Sequence, residues 1–432
     1  GRHAGTNRTR FKIDHTTGDI SFYEDTGSTA KFFWDASAES LGIGTSSPSR
    51  NLVVQTSDQT DIAIIAANDQ SSILNFGDTD DDNVGRIQYN HSTNLMTFRT
   101  NTSDAITIDA SGNIIIAAGS GTLQTATAGT SNLRLGVNAG NSITSGGNFN
   151  TVVGDEAGTA ITTGDGNSLV GKDAGRLITT GQYNTTVGFD SLENTTTAND
   201  NTAMGYYSLQ ANTTGASNAA FGRQSLASNT TASNNTAVGY FSLAANTTGA
   251  LNTGLGRSSL LSNTTGGGNV GVGGYALSNN TTGGSNIGIG QQALNANTTA
   301  TGNTAVGHQS LYANTTGASN VAMGSAALDA NTTGIGNVAV GKSALGANTT
   351  ANNNVALGLQ TLETNTTGTQ NTALGNYALN NSTTASNNTA VGYSALIANT
   401  TGAQQVAVGG SAMAANTTGY NNTAVGWESM KA

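Results

Sequence analysis

From Gly154 to Gly426 a glycine recurs at every seventeenth position, and an earlier copy, Gly136, stands eighteen residues before Gly154. That makes 18 copies in one register to the end of the chain. A disordered tract has no reason to keep register over such a length. A stacked array does, because each unit must seat on the one before it.

The unit has a fixed anatomy. The residue before the glycine is apolar in every copy, as in Val153, Met204, Phe221 and Val425. Two positions further back stands Thr or Val in most copies, such as Thr236 and Val338, and the place between them is small, such as Ala237 or Gly254. This alternation of period two predicts one short β-strand per unit. Four residues before the glycine, Asn occupies 17 of 18 units and Gln405 the other. An Asn at a fixed corner predicts a side-chain ladder that also satisfies the turn backbone. Four residues after the glycine, Leu holds from Leu192 through Leu396 and gives way to Met413 and Met430. The first three units carry Gly140, Gly158 and Gly175 there, which reads as a different closure of the early coils or as a transition zone. An Asn-Thr-Thr-Gly turn, for example Asn246 to Gly249, separates most units.

A unit of this length cannot hold two helices and their connection, and Thr, Asn and Gly are poor helix formers. Pro48, the one proline, lies outside the array, as an uninterrupted ladder of N–H donors requires. The expected fold is all-β: an elongated homotrimeric fibre with a 17-residue-repeat β-solenoid or intertwined β-prism shaft, behind a small N-terminal antiparallel β module. At ~4.8 Å per strand, the array spans roughly 85 Å. Each unit offers little apolar material against an ordering cost of about 1–2 kcal/mol per residue, burial returning only ~25 cal/mol per Å². The reading therefore places small residues such as Ala237 and Gly271 against the symmetry axis of a trimer, with a monomeric solenoid as the competitor.

The division expected is a connector or start of the β module over 1–40, a non-repetitive β-rich module over 41–133, and the repeat shaft over 134–432. In the front third Phe32-Phe33-Trp34 form an aromatic cluster, and Leu41-Gly42-Ile43-Gly44 and Leu52–Val54 follow. Alternating apolar pairs then occur at Ile62-Ile64, Leu74-Phe76, Ile87-Tyr89, Met96-Phe98 and Ile106-Ile108, with turns such as Asn90–Asn94 and Ser111–Asn113 between the later ones. One apolar face of such a module needs a partner, and a second copy of the chain is the natural one.

Charge excludes some partners. Fifteen Lys and Arg against 25 Asp and Glu give a net charge of −10, so neither clustered base nor phosphate recognition is expected, and nucleic acid is not a partner. No apolar run reaches the ~20 residues of a membrane helix, so no membrane insertion is expected. Cysteine is absent, which rules out disulfides and thiolate metal sites. The chain opens Gly1-Arg2-His3 without a signal segment, which reads as a processed or internal piece.

Candidate chemistry is sparse. His3, His15, His91 and His308 are scattered and lack visible partners, so no catalytic, cofactor or metal residues are assigned and no enzyme is expected. Asp78, Asp80 and Asp82 have the spacing that begins a calcium loop, but Asn83 or Val84 and Tyr89 stand where that loop needs Gly and Glu, which favours an acidic surface turn. Aromatic residues just after the repeat glycine (Phe189, Tyr206, Tyr207, Tyr240, Phe241, Tyr393 and Trp427) suggest a sugar platform. Replacement by Arg257, Gln291, Ser325 and Leu359 in other copies favours variable shaft surface or subunit contact.

The unit Asn-Thr-Ala-Val-Gly-x-x-Ser-Leu-x-x-Asn-Thr-Thr-Gly, with Leu41–Val54 and Asn75–Asn101, resembles the tail fibres of bacteriophages, cyanophages among them. The resemblance covers most of the chain, and its repeat is also similar to the heads of bacterial trimeric autotransporter adhesins. It implies a homotrimeric virion appendage, bound to tail or baseplate proteins at one end and meeting a host surface glycan or protein receptor. Such fibres often end in a self-cleaving intramolecular chaperone, to which nothing in this sequence corresponds. The alternative is a bacterial trimeric surface adhesin. An ice-binding solenoid is disfavoured because the strands lack Thr-x-Thr, and a glycan hydrolase because carboxylates do not cluster.

Overall fold

The computed structural model describes residues 8–24, 29–55, 59–82, 84–101, 103–116 and 129–431. The chain divides into two units, Gly1–Leu123 and Gln124–Ala432.

The first unit holds two five-stranded sheets. Strands β1 (Phe11–Ile13), β2 (Ile20–Tyr23), β3 (Ala30–Asp35), β4 (Ser40–Ile43) and β5 (Leu52–Val54) lie in sequence order. All pair antiparallel except β4 with β5, which run parallel around the Pro48 turn. The second sheet, β6 (Ser71–Phe76), β7 (Gly85–Asn90), β8 (Leu95–Thr100), β9 (Ser103–Ile108) and β10 (Ile114–Ile116), is an antiparallel meander. Several hairpins of the two sheets turn on one device, a side-chain oxygen collecting backbone N–H groups. Asp14 accepts from Thr16 and Thr17, Asp35 from Ser37 and Ala38, Asn90 from Ser92 and Thr93, and Asp109 from Ser111 and Asn113. These are Asx turns, which Asp and Asn form because their short acceptors reach their own following backbone. The expected strand at Ile62–Ile64 does not form: this segment pairs with neither sheet, and Ile62 and Ile65 are exposed.

The second unit is a β-solenoid. Eighteen three-residue strands, β11 (Leu133–Leu135) through β28 (Thr423–Val425), form one parallel sheet in sequence order. Each pairs with the next in unbroken register, as in Ala237 with Gly254. Strands and corners alike are bonded from coil to coil. Thr236 N–H donates to Asn252 O at 2.9 Å, Leu243 to Ser259 at 2.9 Å and Thr247 to Thr264 at 2.9 Å, while Gly239 donates back to Phe221 at 2.8 Å. The strands are therefore intramolecular and no intertwined prism is needed to pair them.

The repeat glycine is fixed by this stacking. At Gly239 φ is 131°, and a Cβ there would lie 2.6 Å from Gly256 O. Only a residue without a side chain lets successive coils close to hydrogen-bonding distance at this corner.

The orientation of the strand corrects the expected packing. The small middle residue faces inward: Ala237 is fully buried, and a Cβ on Gly271 would meet Ser259 Oγ and Leu260 Cγ of the chain's own interior. Ala237 and Gly271 thus line a single-chain core and no symmetry axis. The bulkier residues on either side, such as Phe221 and Met323, face out. A coil this short encloses a narrow interior, and period two then sends both flanking residues outward.

The early coils close with the same backbone as the late ones. Gly140, Gly158 and Gly175 have φ of 52°, 52° and 57°, and Leu192, Leu209 and Leu226 in the matching place have 54°, 51° and 50°. What differs is the filler. In the early coils Ile143, Ile161 and Ile178 occupy the interior three residues later, with Val152 and Leu169 in mid-strand. In later coils Leu209 fills it, alongside Ala203 in mid-strand and Asn212 in place of Ile. Interior volume is held while the residue supplying it moves, as close packing demands.

Candidate functional site

Position in the coil, repeated every 17 residues, decides which side chains meet. The interior is polar at two corners. The Asn before each strand receives the next coil's backbone: Asn218 N and Nδ2 both donate to Asn201 Oδ1, at 3.0 and 3.2 Å, and Asn218 Nδ2 also reaches Ala232 O at 2.9 Å. The Asn of Asn-Thr-Thr-Gly makes a second ladder, Asn246 Nδ2 donating to Asn229 Oδ1 at 2.9 Å and to Gly249 O at 2.9 Å. The next Thr makes a third, Thr247 Oγ1 donating to Thr264 O at 3.0 Å. Buried amides are tolerable only when satisfied, and these are satisfied by their copies above or below, with Asn365 Oδ1 an exception. Gln405, one methylene longer, leaves the first ladder and joins the second: its backbone N–H still donates to Asn388, but Nε2 donates to Asn399 Oδ1 at 3.0 Å and Oε1 accepts from Asn416.

On the outside, the residue after the repeat glycine forms a ladder of rings and cations. Lys172 Nζ lies 5.5 Å from the Phe189 centroid, and Phe189 stacks on Tyr206 at 5.7 Å with planes 19° apart. Arg223 then sits between Tyr206 and Tyr240, at 5.4 and 5.8 Å. Tyr207 and Phe241, one position on, join through contacts of 3.9 Å with Tyr206 and 4.2 Å with Tyr240. Five of the seven aromatics singled out in sequence therefore belong to one ladder. Tyr393 instead meets Tyr377 edge-on at 6.0 Å, and Trp427 lies over Gly410 in the last coil. The cations Lys172 and Arg223 were missed as partners of the rings. Read in register, Lys172, Phe189, Tyr206, Arg223 and Tyr240 stand in five successive coils. This interleaving of cations with rings is the signal for them, since cation–π contact is favourable at one coil spacing.

Ionisable groups gather beside the lower end of this ladder. Arg176 bridges Asp173 at 3.5 Å and Glu193 at 2.6 Å. Burial, then the charges of Glu193 and Asp173, push the Asp190 carboxyl up. The hydrogen bond with Tyr206 heads the causes that push Tyr207 up to about 12. Phe189, Tyr206 and Tyr240 each have a ring or a cation of a neighbouring coil against them, whereas the one ring or cation against Phe241 among the described residues is Tyr240 of its own coil, edge-on. The contacts between coils brace each coil against the next.

The remaining expected positions do not converge. His15 and His308 are exposed on different units. His91 Nε2 shares a 2.9 Å hydrogen bond with Ser72 Oγ, and its ring meets Tyr89 edge-on at 5.0 Å. His3 and Asn83 lie outside the described residues. Asp78 Oδ1 accepts from Asp80 N and Asp81 N at 2.9 and 3.0 Å, so it shapes the turn between β6 and β7, and these donors hold its carboxyl below the usual range. Among the described residues no group of three or more His, Asp and Glu is arranged to hold a metal ion. Among them, too, no helix is long and apolar enough to cross a membrane.

Compared with known proteins, the chain matches no family profile, no curated protein and no solved structure.

Proposed function

We propose that this chain is a structural component of a bacteriophage tail fibre, a homotrimeric virion appendage that supports or mediates attachment to the host cell surface. The observation that carries the reading is the uninterrupted 18-strand solenoid, in which every coil is tied to the next by backbone bonds and by ladders of Asn and Thr. A stack of this kind is stiff along its axis and holds a length of roughly 85 Å. It suits a part that works by reach and contact, without turnover of a substrate. The resemblance of the repeat and of Leu41–Val54 to phage fibres supports the virion setting over a cell-anchored adhesin.

Antibody raised against the solenoid, applied to phage particles in negative stain, is expected to decorate slender rods on the tail. The purified chain is expected to bind susceptible cells and to slow infection by competition. Labelling confined to the bacterial envelope would replace this reading with the adhesin. Release of reducing ends from capsular or lipopolysaccharide glycan by the purified chain would replace it with an enzyme.

A further inference from the structure

The outward side of the solenoid strands is an uncharged strip, apolar along its third-residue row and mostly Thr or Val along its first, and among the described residues nothing covers it. Both rows that face out, the first and third residues of every strand, lack a charged residue in all 18 strands. The third-residue row is apolar throughout, and Leu255, Met323 and Leu357 are each nearly half exposed in the single chain. The charges of this unit lie elsewhere on the coil: Lys172, Arg223 and Arg257 follow the repeat glycine, and Arg134, the one charged strand residue, holds the inward middle place of β11. A strip of ~85 Å by ~10 Å presents on the order of 800 Å². That equals the ~800 Å² per partner of a standard interface.

Pitch identifies the occupant. From Val238 to Leu357 the outer row alternates valine with Leu255, Ile289, Met323 and Leu357, a corrugation repeating every second coil, or ~9.6 Å. A covering surface must keep that pitch along the strip. An α-helix advances ~5.4 Å per turn and falls out of step within a few coils, whereas a second stacked β ladder has the same spacing by construction. The chain itself supplies such a ladder, uncharged and of equal length.

We infer that copies of this chain associate side by side through the outward strand face, with the row of Val238, Leu255 and Val272 at the centre of the contact. This rests on the homo-oligomeric part of the proposed function and assigns its surface. The small residues Ala237 and Gly271 take no part, being enclosed within each copy.

The test is sedimentation of the full chain and of three variants. Val272→Glu/Val306→Glu/Val340→Glu places charge on the strip, and Gln291→Glu/His308→Glu/Ser325→Glu places the same charge on the exposed row after the repeat glycine. Val272→Thr/Val306→Thr/Val340→Thr keeps shape and β preference, and Thr already occupies the adjoining outward row at Thr236 and Thr304, so it guards against misfolding of the Glu variant. The expected result is an oligomeric parent, a monomeric strip-Glu variant with the parent's circular dichroism, an unchanged control, and at least tenfold easier dissociation of the Thr variant. An oligomer that survives both strip variants overturns this interface while leaving the fibre reading standing. A monomeric parent overturns both. A strip-dependent oligomer that binds no cells supports the interface and removes only the attachment role.

Discussion

Asn365 and Ser382 occupy the same corner of adjacent coils, and the ladder of buried amides is broken between them. Both side chains are fully buried, and neither Asn365 Oδ1 nor Ser382 Oγ has a hydrogen-bond partner. Below the break Asn365 Nδ2 still donates to Asn348 Oδ1 at 3.2 Å, and above it Asn399 Nδ2 retains only Gly402 O, at 2.9 Å. Serine is one amide too short to span a coil. Ser382→Asn is expected to restore the ladder and raise unfolding stability by about 1 kcal/mol, with Asn263→Ser in an intact stretch costing ~1–3 kcal/mol. Denaturant unfolding of the two variants measures this, and a Ser382→Asn protein no more stable than the parent would mean that the corner already satisfies itself.

A repeat glycine and Gly274, which follows the repeat glycine Gly273, differ in what they exclude. Gly239→Ala puts a methyl 2.6 Å from Gly256 O at a φ of 131°, so it is expected to cost at least about 2 kcal/mol and to open amides of the neighbouring coils to hydrogen exchange. Gly274→Ala meets nothing within 4 Å and is expected to stay within about 0.5 kcal/mol of the parent. Equal costs at the two sites would refute coil spacing as the reason for the glycine.

The two fillings of the core are expected to be exchangeable only as sets. A Cβ on Gly158 would lie 2.8 Å from both Ile161 Cδ1 and Leu169 Cδ1. Gly158→Leu alone is therefore overpacked by ~1–3 kcal/mol. Combining it with Ile161→Asn and with Leu169→Ala, the mid-strand place of the next coil, removes both contacts and is expected to recover at least ~1 kcal/mol, read as non-additivity in a mutant cycle. Strict additivity would show that the three residues do not share one space.

Acid is expected to act oppositely on the two units. In the first, hydrogen bonds from Lys12 and from the backbone of Thr16 and Thr17 lower Asp14 to about 2. Turn donors, led by Ser37, Asp81 and Asn113, also lower Asp35, Asp78 and Asp109. A depressed carboxyl stabilises the fold above its unfolded value of ~3.9 and loses that contribution as pH falls through the folded value. In the solenoid, burial raises Asp190 and Asp329, so each costs stability above its folded value and the cost disappears below ~3.9. Between pH 7 and pH 3 the transition followed by Trp34 fluorescence in a Trp427→Phe background is expected to move to lower temperature. Local opening around Asp190 and Asp329, followed by hydrogen exchange, is expected not to increase. A parallel loss in both units would remove this account.

What was legible in the sequence follows from strict repetition. A fixed interval makes every coil report the same environment, so the strands before each glycine, the Asn ladder and the all-β class could be read from residue types alone. The ring ladder was half legible, because Phe189, Tyr206 and Tyr240 are conspicuous, whereas Lys172 and Arg223 resemble ordinary surface variation until they are stacked on the rings.

The sequence by itself determined the length of the rung and the places where backbone must pass close to backbone, since glycine, proline and Asn act through the chain immediately around them. The inward direction was decided only by the tertiary structure. A three-residue strand has two possible inner faces, and the one chosen depends on how narrow a closed coil is. That choice enclosed Ala237 and turned Val238 outward. It also let Leu209 do in late coils what Ile161 does in early ones, because filling an interior is a property of the shared space and no single position carries it.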